Sequence, residues 1–94
     1  MSPIRVRRGD TFEVALSEPA ATGHRWRLVA APPEVAVVGE RYDPPPTGGP
    51  LGTPGKRVVT LRAERAGRHR LEFALARPGE ADRHGEHSVE VEAS

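Results

Sequence analysis

Apolar residues in this chain recur at every second position, and the runs they form are cut short by Gly, Pro and Asp. Phe12, Val14 and Leu16 alternate with Thr11, Glu13 and Ala15, and Trp26, Leu28 and Ala30 alternate with Arg25, Arg27 and Val29. Successive side chains of a strand point to opposite faces, so this spacing marks strands with one buried side. The same pattern marks Ile4 with Val6, the run from Val35 to Tyr42, Val59-Leu61-Ala63, Leu71-Phe73-Leu75, and Val89 with Val91. The Pro and Gly spacing leaves no window with a helical apolar stripe, so no helix is expected. About seven short strands in 94 residues predict an all-β chain, folded as one immunoglobulin-like β-sandwich over residues 1–94. Trp26, on a strand near the middle, is expected to anchor the core.

A chain of this size has one core to bury and must stabilise itself by packing, because it contains no cysteine for disulfides, thiol chemistry or cysteine metal sites. Its 14 basic and 13 acidic residues leave a net charge of +1, too small a field to grip a phosphate backbone, and no nucleic-acid partner is expected. The basic start Met1 to Arg8 lacks the apolar run of a signal peptide, and no segment reaches membrane-spanning length. The expectation is therefore no membrane partner and, by default, a cytoplasmic location. No nucleophile motif, paired-carboxylate spacing or phosphate-cradling glycine loop is present, so the chain does not read as an enzyme. His84-x-x-His87, flanked by Asp82 and Glu86, offers ligand types a metal accepts. The spacing is not diagnostic, and the segment reads as a solvated polar turn with no metal or cofactor.

Three connections stand out: Glu18 to His24, Pro44 to Lys56, and Arg77 to Gly85. In the second, nine of the twelve residues from Pro44 to Gly55 are Pro or Gly, a composition that cannot join a central sheet ladder. These connections follow strands two, four and six. Alternate connections of such a sandwich emerge at one end, so the three are expected to share a tip and to form a binding surface. Ordinary hairpin connections with compositional bias would look the same at this level.

A resemblance narrows the choice. Leu16-Ser17-Glu18-Pro19-Ala20-Ala21-Thr22-Gly23-His24-Arg25-Trp26 resembles the first loop of the chagasin-like inhibitors of papain-family cysteine peptidases, in which Asn-Pro-Thr-Thr-Gly-aromatic precedes a Trp. Leu51-Gly52-Thr53-Pro54-Gly55-Lys56 and the strand after it are similar to the family's Gly-x-Gly-Gly loop, and Arg77-Pro78 to its Arg-Pro-Trp loop. The resemblance covers nearly the whole chain. It implies a monomeric inhibitor whose partner is a papain-like cysteine peptidase, with loop one across the catalytic cleft and the other two braced on its walls. The implied contact residues are Ala21, Thr22, Gly23, His24, Leu51, Gly52, Gly55, Arg77 and Pro78. Among the departures, His24 stands in place of the first-loop aromatic and Gly79 in place of the third-loop Trp. A non-inhibitory binding module with altered loops is the alternative, and Gly79 is the residue that favours it.

Overall fold

The structure is a computed structural model that describes residues 3–19, 22–50 and 52–94. Seven strands form: β1 (Ile4–Val6), β2 (Thr11–Glu18), β3 (Arg25–Ala30), β4 (Val35–Asp43), β5 (Gly55–Ala63), β6 (Gly67–Ala76) and β7 (Gly85–Ala93). No helix occurs among the described residues. One sheet has the order β1-β7-β6-β3 and the other β2-β5-β4. β1 runs parallel to β7, and every other pairing is antiparallel. This is the immunoglobulin-like sandwich that the spacing predicts.

The alternation explains the core. β2 is buried at every second residue from Phe12 to Glu18; the inward residues of its sheet neighbour β5 lie beside it, and those of β6 and β7 face them across the gap between sheets. Leu61, Leu71, Phe73 and Val91 form the fully buried centre. Each large apolar side chain removed from water contributes about 1.5–3 kcal/mol, so this interdigitated set carries the fold.

Two details differ from the simple pattern. A bulge between Leu28 and Ala30 shifts the phase of β3, leaving Ala30 exposed and Val29 half-buried. Trp26 lies on β3, an edge strand rather than a middle one, and is half-buried against the loop end of the core. A second bulge, between Val37 and Gly39, breaks the phase of edge strand β4 and leaves Val37 and Val38 exposed.

Candidate functional site

The strand registers decide where the connections emerge. Glu18 pairs with Gly55, and Asp43 with Lys56, so β2 and β4 end where β5 begins. Arg25 pairs with Ala76, and Leu75 with Gly85, so β6 ends where β3 and β7 begin. Trp26 then joins the two sheets at this end: its backbone N–H donates to Glu18 Oε1 at 2.7 Å and its indole Nε1–H to the Ser17 carbonyl at 2.7 Å. Loop 1 (residues 19–24), loop 2 (44–54) and loop 3 (77–84) therefore leave the sandwich together.

Loops 1 and 3 touch. The Arg77 guanidinium donates from Nε to the Thr22 carbonyl at 3.1 Å, and its Nη1 lies 3.7 Å from Glu80. The His24 and His84 rings meet edge to face with centroids 4.4 Å apart. Thr22 Oγ1 and His24 Nδ1 share a 2.7 Å hydrogen bond, while His24 Nε2 is sealed from solvent without a partner among the described residues. An unmade hydrogen bond of this kind costs about 1–3 kcal/mol, which makes this seam the least satisfied part of the site.

Loop 3 opens with Arg77-Pro78-Gly79-Glu80, in which the Glu80 N–H donates to the Arg77 carbonyl at 3.1 Å and Gly79 has φ +84°. Proline at the second position and a left-handed glycine at the third define a type II turn. Loop 2 is built from two further turns, in which Gly49 N–H donates to the Pro46 carbonyl and Thr53 N–H to the Pro50 carbonyl.

The candidate contact residues fall into distinct groups. Thr22, Gly23, Gly52, Arg77 and Pro78 are exposed at the common tip, and His24 is half-buried between loops 1 and 3. Ala21 and Leu51 lie outside the described residues. Gly55 is not in a loop: it is the first residue of β5, buried, and a Cβ there would overlap the Tyr42 hydroxyl and come within 2.5 Å of the Asp43 carbonyl. Its role is to let the root of loop 2 pack closely. Lys56 belongs to β5 and Gly85 to β7, so the second and third connections are shorter than the composition suggests. No cluster of three or more His, Asp or Glu side chains arranged for a metal occurs among the described residues; His84 instead faces His24 and lies 3.8 Å from Glu80.

The floor of the site was not anticipated. Glu18, the last residue of β2, is 2% exposed and accepts hydrogen bonds from Arg57 Nε at 3.2 Å and Nη2 at 2.8 Å, besides the one from Trp26. Arg57 Nη1 lies 3.3 Å from Glu40, and its guanidinium sits 5.2 Å from the Tyr42 ring centroid. The hydrogen bonds that Arg57 donates to Glu18 raise its pKa above the ordinary value, outweighing the opposite effect of burial. The signal was available: Glu18 is in phase with Phe12, Val14 and Leu16, and Arg57 with Val59, Leu61 and Ala63.

Comparison with known proteins places this arrangement. No curated protein matches the chain. Among solved structures, the cysteine protease inhibitor EhICP2 from Entamoeba histolytica is similar with a TM-score of 0.75 at 17% identity, over 98% of this chain and 88% of that one. The solution structure of amebosin is similar with a TM-score of 0.75 at 18% identity, over 99% and 89%. These likenesses establish the fold. The family model of the chagasin family peptidase inhibitors, I42, matches residues 5–92, and the chain therefore belongs to that family of inhibitors rather than to an enzyme family.

Proposed function

We propose that this protein, acting as a monomer, inhibits papain-like cysteine peptidases by laying loop 1 across the active-site cleft while loops 2 and 3 brace against its walls. The observation that carries this reading is the gathering of all three loops at one end of a chain that belongs to an inhibitor family. The likeness to EhICP2, itself a cysteine protease inhibitor, supports a cysteine peptidase as the target class. Inhibition of this kind needs no chemistry from the inhibitor. It needs a tip that enters the cleft and holds its shape.

The exposed residues suit that task. Thr22 is exposed beside Gly23, whose φ of +77° turns the chain at the tip, and its hydroxyl is tied to His24, which gives the tip a fixed shape. Pro78 stiffens loop 3 before binding, which lowers the ordering cost of association. Arg77 spends its Nε–H on the Thr22 carbonyl and so holds loop 1 from behind.

Steady-state inhibition of a panel of papain-like peptidases tests the proposal. Inhibition is expected at micromolar concentration or below, and Thr22→Ala or Gly23→Ala should weaken it tenfold or more. Full turnover of every enzyme at micromolar protein sinks the reading. A second reading, a binding module that does not inhibit, is favoured by Gly79, because an aromatic anchor at an interface is worth about 2–4 kcal/mol. That corresponds to roughly 30-fold to 1,000-fold in affinity.

A further inference from the structure

An ion pair sealed under the loops of so small a domain needs a reason. Glu18 and Arg57 have side chains only 3% and 12% exposed, and Arg57 meets both carboxylate oxygens. Replacing a buried pair by hydrocarbon of similar volume is often neutral or stabilising, since the attraction scarcely repays the lost hydration. Stability alone therefore does not account for charge at this position. Direction does. Hydrogen bonds fix angles as well as distances, whereas packed methylenes tolerate sliding.

The groups held in this way are the roots of loops 1 and 2. Glu18 ends β2 and enters loop 1, and its carboxylate also accepts the N–H of Trp26, just past the exit of loop 1. Loop 1 is thus closed at its base by one side chain. Arg57 lies on β5 just beyond loop 2, and it reaches Glu40 and Tyr42 on β4, the strand that enters loop 2. All four strands that feed loops 1 and 2 converge on a single carboxylate–guanidinium unit.

We infer that the Glu18–Arg57 pair is a positioning device for inhibition, fixing loop 1 against loop 2 so that both tips meet the peptidase already aligned. The inference rests on the inhibitory function proposed above. It makes affinity depend on the pair more than stability does.

The test compares the parent with Glu18→Met/Arg57→Met and with Arg57→Lys. Thermal unfolding, association and dissociation rates against papain, and amide hydrogen exchange at Gly23, His24 and Gly52 are measured for each. The double variant also takes the acceptor from the Trp26 N–H, so it is expected to melt about 5–10 °C below the parent, to inhibit at least tenfold less well in the folded fraction, and to exchange faster at Gly23 and His24. The loss should appear chiefly in association, because apparent affinity falls with the fraction of binding-competent conformers. Arg57→Lys keeps the charge but cannot hold both carboxylate oxygens and Glu40 at once, so it should fold normally and lose affinity by a smaller factor. A folded double variant with parental inhibition and parental exchange overturns the inference. If the double variant does not fold, Arg57→Lys decides: weaker inhibition at parental melting temperature supports positioning, and parallel losses overturn it. If the parent inhibits no papain-like enzyme, the functional proposal fails while hydrogen exchange still decides whether the pair orders loop 1.

Discussion

The inward face of β2 changes character within one step of its own period. Phe12, Val14 and Leu16 pack against hydrocarbon, and Glu18, next in phase on the same face, meets a guanidinium and an N–H. Both regions exclude water, but they do different work. The apolar region gains free energy in proportion to area, and that gain is non-directional, so it sets no angle between the partners. The polar region contributes little net stability and tolerates no shift, because each donor must face its acceptor. The sandwich is therefore held together in one place and aimed in another.

The strongest challenge to that division is Phe73→Ala at the apolar centre, where Phe73 is 1% exposed. The cavity and lost burial should cost about 3–5 kcal/mol, a large part of the roughly 5–15 kcal/mol a domain possesses. Denaturant unfolding should show it as a lower midpoint. The molecules that stay folded should inhibit as before, since Phe73 lies within β6 rather than at the roots of loops 1 and 2; weakened inhibition in the folded fraction would break the division.

Glu18→Ala comes next. It strands Arg57 and the Trp26 N–H in a closed site, and removing one partner of a buried pair costs about 3 kcal/mol. Unlike Phe73→Ala, it should lower stability and inhibition together. An unchanged inhibition constant in folded protein would mean that the polar floor only fills space.

How far this contrast could be read from the residues follows from the physics of each part. Period-two spacing reports which face is wet, so the strands and most of the core were legible from Phe12-Val14-Leu16 and Val59-Leu61-Ala63 alone. The same phase places Glu18 and Arg57 inward, yet a carboxylate directly before Pro19 carries the composition of a turn. Whether a buried charge has a partner depends on pairing between β2 and β5, which no local spacing encodes. The bulge at Val29 and the edge position of Trp26 were hidden for the same reason, since register and strand order are properties of the assembled sheet. Loop grouping was legible from strand order, whereas the Arg77–Thr22 and His24–His84 contacts depend on tertiary placement of the tips.

Gly55→Ala probes the boundary between the two regions, where an added methyl meets the Tyr42 hydroxyl and the Asp43 carbonyl. Overpacking of this kind costs about 1–3 kcal/mol, so the melting temperature should fall by several degrees. Because Tyr42 stacks beneath Arg57, the displacement should also reach the floor and reduce inhibition. Loss of stability alone would show that the root of loop 2 moves without disturbing the pair.

The smallest effect is expected at Gly79, and it separates backbone from contact at the tip. At φ +84° an L-residue pays about 1–2 kcal/mol, and nothing within 4 Å of the added Cβ opposes it sterically. Gly79→Ala and Gly79→Trp should therefore lose the same stability, a melting shift of roughly 4–8 °C per kcal/mol in a domain of this size. Any difference in affinity between the two then belongs to the indole ring itself. Tighter inhibition by the Trp variant alone would mean that loop 3 faces the target and lacks only an anchor. Equal inhibition would mean that the type II turn holds position 79 away from the peptidase. Loop 3 would then serve through Arg77, behind loop 1, and recognition would turn on how firmly the polar floor aims the first two loops.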